Sequence, residues 1–225
     1  MDNYLDVMRW GEERLGVKLL APEYEVTSML FDADRLTPLS MRQKFSGSST
    51  NFSNILKSLE DKGVVTVEAN PSDRRSNFYR LSDKALSILA KQWAHYTRKA
   101  HEDLAASVSP IRTIRAYSND VTQQLKIRQF TCEYQTLMYL NVNPGLTSIA
   151  CQDLVEVSDT KFSTCMTSMV KSGFVFHAKN PSDRRMKLYH LTDEKKQVME
   201  ELGDRVLAWL DSRMDFFETL LRDVR

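Results

Sequence analysis

Apolar residues recur along this chain at helical spacing in long stretches and at alternate positions in short ones, in the same order in both halves. Residues 3–20 (NYLDVMRWGEERLGVKLL) and 111–131 have helical periodicity, and 24–33 and 134–142 predict a second helix in each half. Thr37 and Thr147 each follow a leucine and suit the N-cap of a short third helix, PLSMRQKF or SIACQDLV. A break follows at Ser46-Gly47-Ser48 or Glu156-Val157-Ser158. A fourth helix then places Phe52, Ile55, Leu56 and Leu59 on one face, with Phe162, Cys165, Met166 and Met169 forming the same stripe in the second half. Gly63 and Gly173 stand where a helix ends in a left-handed residue. The runs VVTVEA and NFYRL, and later FVFHA and KLYHL, predict a β-hairpin in each half. A long helix is expected after Asp83, to about Ser107, and another after Asp193, to the last residue.

Sliding the chain against itself by 110 positions pairs Glu23 with Glu133. The match runs without a gap to Asp83 against Asp193, with roughly a third of the positions identical. The hexapeptide NPSDRR occurs at 70–75 and again at 180–185, between the two predicted strands of each hairpin. A period this long, present twice, indicates tandem duplication rather than a solenoid. The expected fold is mainly α with small β-hairpins (α+β): one lobe over residues 1–109 and a second over 110–225.

Composition excludes several alternatives. A hydrophobic content of 42% supplies a core for each lobe, so disorder is not expected. No apolar run is long enough for a membrane helix and the start mixes acidic and basic residues, so a cytoplasmic protein without membrane attachment is expected. Cys132, Cys151 and Cys165 form neither an even set nor a C-x-x-C pair, and reduced thiols are expected. His95, His101, His177 and His190 lack metal-ligand spacing, so no metal is assigned. No phosphate loop, nucleophile elbow or carboxylate pair stands out, so neither an enzyme nor a cofactor is expected. A net charge of +1 does not by itself announce a nucleic-acid binder; a DNA reading has to rest on where the charges sit.

A short helix, a turn, a second helix and a hairpin make a winged helix-turn-helix, whose second helix can enter the DNA major groove. Its polar face carries Ser48, Ser49, Thr50, Asn51, Ser53, Asn54 and Lys57 in the first copy. The second copy has Ser158, Asp159, Thr160, Lys161, Ser163, Thr164 and Thr167. Small hydroxyls and amides allow close approach, Asn pairs with adenine, and Lys161 reaches guanine or phosphate. A solvated helix surface explains the same residues, and Asp159 favours that alternative or a capping role.

At the hairpin tip, Asn-Pro-Ser-Asp is type I turn chemistry, but the turn does not require two arginines. Asp73 with Arg75, and Asp183 with Arg185, can pair across the turn for about 0 to 1 kcal/mol. The DNA reading puts one guanidinium of Arg74 and Arg75, or of Arg184 and Arg185, in the minor groove and its neighbour on phosphate. Asp73 and Asp183 then orient the wing.

The segment Leu36 to Asp83, with S-x-T-x-F-S, L-E-D-K-G-V-V and N-P-S-D-R-R-S-N-F-Y-R-L-S-D-K-A, resembles the MarR/SlyA family of bacterial transcription regulators. Leu146 to Lys195 is similar, including D-R-R-x-x-x-x-x-L-T-D. The resemblance implies a regulator of double-stranded DNA; its members are homodimers whose end helices interlock, and many answer a small-molecule effector, for which no residue here can be named. Two lobes in one chain look like the two-lobed Sar group. That layout implies a monomeric pseudo-dimer whose recognition helices take successive major grooves of an asymmetric operator, because the base-reading segments differ. The apolar faces of Met8, Leu15, Leu19, Leu86, Leu89, Trp93, Tyr96, Trp209, Phe216, Leu220 and Leu221 are expected to form one core between lobes, or else to join two chains. A protein-binding adaptor that kept the scaffold without specific DNA recognition is the alternative function.

Overall fold

In the computed structural model, residues 3–73, 75–105, 118, 121–155, 157–183 and 185–223 are described, without the side chains of 103–105, 221 and 223. Two compact units are present. One comprises Met1–Asp6, Leu20–Gln129 and Leu207–Arg225; the other comprises Val7–Leu19 and Phe130–Val206. The expected lobe boundary at 109/110 lies outside the described residues. Two helices are divided between the units: α1 (Tyr4–Leu15) and α9 (Asp193–Ser212).

In the first unit, Pro22 occupies the first turn of α2 (Pro22–Asp32), where its missing N–H is not needed. Thr37 caps α3 (Pro38–Lys44), its side chain accepting from the Ser40 N–H at 3.3 Å. α4 (Ser49–Asp61) buries Phe52, Ile55, Leu56 and Leu59, the predicted stripe. It ends at Lys62 and Gly63, whose φ of +66° only glycine adopts without strain. β1 (Val65–Ala69) pairs antiparallel with β2 (Asn77–Leu81), from Val65↔Leu81 to Ala69↔Asn77, and a bridge from Leu36 to Tyr79 adds a short third segment. α5 (Asp83–Ala105) follows.

The second unit repeats this order 110 positions on: α6 (Cys132–Val142), β3 (Leu146–Thr147), α7 (Ser148–Val155), α8 (Asp159–Lys171), β4 (Val175–Lys179) and β5 (Lys187–Leu191). The Thr147 hydroxyl accepts from the Ala150 N–H at 3.2 Å, as Thr37 does from Ser40. The sheet order is β3-β5-β4, and β4 pairs with β5 from Val175↔Leu191 to Lys179↔Lys187. Both units are therefore winged helix-turn-helix motifs, mainly α with small hairpins, as the periodicity predicts.

The long helices differ from the expectation in one way. The C-terminal helix breaks at Arg213, so that α10 (Met214–Asp223) is a separate helix packed on α5. The apolar residues expected to pack together are found in both units. In the first unit Tyr4, Trp93, Trp209 and Phe217 pack ring against ring, with centroids 4.9 to 6.5 Å apart. Phe217 rather than Phe216 is the buried member; Phe216 is 38% exposed. Met8, Leu15 and Leu19 belong to the second unit, where a Cβ on Gly11 would meet the methyl ends of Leu19 and Leu202 at 2.9 Å, so a larger residue there would make those side chains shift. The Leu221 side chain is outside the described set.

Candidate nucleic-acid interface

Helix α4 of the first unit is fixed at both ends by carboxylates of α2. The buried Glu25 accepts from the Ser46 N–H at 3.1 Å and from the Ser46 hydroxyl at 2.9 Å, holding the turn before α4. Glu23 accepts from the Ser58 hydroxyl at 2.7 Å and pairs with Lys62 at 2.5 Å, holding the far end. Inside the turn, Phe45 packs on Phe52 with centroids 5.3 Å apart. With the apolar stripe facing inward, Ser48, Ser49, Thr50, Asn51, Ser53, Asn54 and Lys57 are all exposed on one surface.

These side chains are not equally available. Ser48 is the N-cap and accepts from the Asn51 N–H at 3.2 Å, while Ser53 donates back to the Ser49 carbonyl at 3.3 Å. The amides of Asn51 and Asn54, the Thr50 hydroxyl and the Lys57 ammonium make the outward-facing donor set. Arg42, which the sequence did not single out, joins this edge: its Nε donates to the Ser49 hydroxyl at 3.1 Å and its Nη1 to the Phe45 carbonyl at 3.2 Å.

In the second unit Ser158, Thr160, Lys161, Ser163 and Thr164 are likewise exposed, above buried Phe162, Cys165, Met166 and Met169. Thr164 donates to the Thr160 carbonyl at 2.9 Å. Asp159 does not cap the helix. The cap position is Ser158, whose side chain makes no capping bond, and Asp159 is the first residue of α8, accepting from Gln152 Nε2 at 2.5 Å. Gln135, 110 positions on from Glu25, donates instead to the Phe130 carbonyl at 3.2 Å.

The two wing tips share their hydrogen bonds. Asn70 Oδ1 accepts from the Ser72 N–H at 3.0 Å and Asp73 Oδ1 from the Arg75 N–H at 2.9 Å; Asn180 and Asp183 do the same for Ser182 and Arg185, both at 2.9 Å. These are Asx turns, in which the Asn or Asp side-chain oxygen fixes the chain two residues ahead. Among the described residues no Asp73–Arg75 or Asp183–Arg185 side-chain ion pair forms. The aspartates thus act on backbone, and the exposed Arg75 and Arg185 guanidinium groups are left outside the turn's hydrogen bonds. Arg74 and Arg184 lie outside the described residues.

The outer hairpin faces differ. In the first unit Arg80 pairs with Glu68 at 3.4 Å and Asp83 at 2.7 Å, and Arg35 lies over Phe78 at 4.7 Å. In the second, Phe176 is 49% exposed and stacks on His190 at 5.2 Å, and Met186 is 39% exposed.

All three cysteines are buried in the second unit, at helix positions where the first has Pro22, Met41 and Ile55. A hydrogen bond from the Cys165 thiol, against the opposing effect of burial, holds Cys132 below the ordinary thiol value. That same bond, then burial, raises Cys165, and burial pushes Cys151 up to about 12. No group of three metal-ligating side chains forms among the described residues. In the first unit Tyr4, Tyr24, Thr27, Ser28, Phe31, Leu89, Trp93 and Trp209 line a cleft with room for about one water. No described helix is long and apolar enough to cross a membrane.

No protein-family model matches the chain, and no curated protein matches it. Among solved structures it is similar to the PcaV transcriptional regulator from Streptomyces coelicolor, at 24% identity over 41% of this chain and 74% of that one, with a TM-score of 0.32. The transcriptional repressor CouR, bound to a 23-mer DNA duplex, matches at 24% identity over 40% of this chain and 61% of the repressor, with a TM-score of 0.33. The S. aureus MepR–DNA complex matches at 16% identity over 51% of this chain and 92% of that one, with a TM-score of 0.36.

Proposed function

We propose that this chain is a cytoplasmic, non-enzymatic transcription regulator of the MarR type that binds double-stranded DNA sequence-specifically through two lobes, residues 1–109 and 110–225, in one chain. Each recognition helix enters a major groove, and Arg75 and Arg185, with Arg74 and Arg184 beside them, meet the minor groove and phosphates. The operator is asymmetric, because Ser49, Asn51 and Asn54 face it from one lobe and Asp159, Lys161 and Thr164 from the other. The observation that carries this reading is the pair of identical Asx turns: each fixes an arginine's backbone and leaves its guanidinium exposed beyond a recognition helix. Isolated surface ion pairs contribute too little to account for two such tips.

Titrating the full chain with its own upstream DNA over a salt series, with solution mass measured in parallel, tests the proposal. Affinity should fall steeply with salt, and the mass should be that of one chain. A mass of two chains would remove the single-chain pseudo-dimer, leaving homodimers on DNA. The near-neutral charge and the exposed Phe176 and Met186 favour a second reading, a protein-binding adaptor; an absent or salt-insensitive shift selects it.

A further inference from the structure

The two recognition helices are joined to the preceding helix by the same kind of bridge, built with opposite charge. In the first unit position 42 on α3 reaches position 49, the first residue of α4, and the bridge is an arginine on a serine at 3.1 Å. In the second, positions 152 and 159 make the corresponding bridge from α7 to α8, and it is a glutamine on an aspartate at 2.5 Å. The surrounding sequence follows suit. Residues 38–57 contain three basic and no acidic residues, whereas 148–167 contain one basic and three acidic residues.

A carboxylate is acceptor-only. In the major groove it finds its donor at the cytosine N4 amino group; at adenine the N6 amino group stands beside the N7 acceptor, which repels it, as do guanine O6 and N7, thymine O4 and phosphate. The N-terminus of α8, where Asp159 is the first residue, favours an anion at the edge of the candidate base-reading surface. Gln152 holds one of its oxygens. A guanidinium at the same place, clamped to the Phe45 carbonyl, offers its remaining N–H groups to phosphate whatever the sequence.

We infer that Asp159, positioned by Gln152, is a base-discriminating residue that selects cytosine in the half-site of the second lobe, and that Arg42 is a phosphate anchor of the first. The lobes then divide the work: the first supplies sequence-independent affinity and the second supplies discrimination at the Asp159 position. This inference rests on the DNA-binding reading above.

Selection from a randomised duplex library, with the full chain as wild type, Asp159→Asn, Asp159→Ala, Gln152→Ala and Arg42→Gln, tests it. Wild type should enrich a site with one near-invariant cytosine in one half. Asp159→Asn should move that single preference to adenine, by about ten-fold, because asparagine pairs bidentately with adenine. Asp159→Ala should flatten that position alone, and Gln152→Ala should broaden it without changing the other half-site. Arg42→Gln should weaken all sequences alike and reduce the salt slope by about one. If wild type enriches a sequence and Asp159→Asn enriches the same one, the inference is overturned while the DNA reading stands. If wild type enriches nothing and shows no salt-dependent binding, the DNA reading fails and takes the inference with it.

Discussion

The two winged helices share element order, hairpin register and wing-tip hydrogen bonds, yet their recognition helices are held differently. In the first unit Glu25 and Glu23 fix the turn and the far end of α4, and the surface carries the half-buried Arg42 and the exposed Lys44 and Lys57. In the second, Gln135 takes the place of Glu25, Asp159 and Asp153 are exposed, and three thiols occupy the core beneath. Backbone architecture tolerates this divergence because it depends on periodicity and turn chemistry. Chemistry at the surface does not, since a single reversed charge changes which groups can approach. One scaffold therefore presents two different surfaces from one chain.

The largest effects test whether the cores really are equivalent. Phe52 and Phe162 occupy the same stripe position and are both buried. Phe52→Ala and Phe162→Ala should each cost about 3–5 kcal/mol, in the unit that carries the change. Hydrogen exchange followed by mass spectrometry should show loss of protection along α4 for one and along α8 for the other. Loss across both units from a single change would mean that they do not unfold as separate bodies.

The wings come next. Arg75→Ala and Arg185→Ala should each weaken operator binding by about 1–3 kcal/mol. The Asx turns should survive, because Asp73 and Asp183 accept from backbone N–H groups that alanine retains. Unchanged affinity in the double variant would remove the wings from the mechanism.

Alkaline pH should separate the units. Unfolded thiols ionise near pH 9, whereas Cys151 and Cys165 are held above that value in the fold. A group with a raised folded value contributes stability that is full below its unfolded value and lost as pH rises, here from about 9 toward about 12 for Cys151. Cys132, held low, acts in the opposite sense and offsets part of the loss. Tyr24 and Tyr134 are both raised by burial, one in each unit, so they cancel in the comparison, and Tyr79 of the first unit, also raised by burial, starts to lose its contribution only above pH 10. The second unit should therefore open at lower pH than the first, measured by which unit is cleaved during proteolysis between pH 8 and 10.5. Replacing Cys151 by Met and Cys165 by Ile, the first unit's residues, should abolish the difference.

Much of this was legible in the sequence because it follows from local rules. The stripes from Phe52 and Phe162, the caps at Thr37 and Thr147, the glycines at 63 and 173 and both hairpins all depend on near neighbours in the chain. What escaped depends on geometry set by a turn or a fold. Asp159 beside Ser158 reads as a cap, and only the angle between α7 and α8 reveals Gln152 as its partner. Asp73 with Arg75 reads as an ion pair, whereas the turn brings the arginine's N–H to the carboxylate. The break at Arg213 has no proline or glycine to announce it; there the N–H of Arg213 bonds to the Leu210 carbonyl, a tight turn that ends α9.

The smallest effect bears most directly on how the two recognition helices begin. Ser48 and Ser158 are the same residue at the same cap position with the same extended backbone, ψ 158° and 149°. The Ser48 oxygen satisfies the Asn51 N–H, and Ser158 makes no such bond. Ser48→Ala should therefore cost about 1 kcal/mol, whereas Ser158→Ala should cost only a few tenths. In the second unit the charge of Asp159 supplies part of what the missing cap would, since an anion in the first turn is worth about 0.3–1 kcal/mol against the helix dipole. Asp159→Asn should thus fray the start of α8 more than Ser158→Ala does, read as amide exchange over 159–165 against 49–55. Equal costs for the two serine variants would show that the helices start alike, and the opposed charges of Arg42 and Asp159 would then be a difference of surface alone.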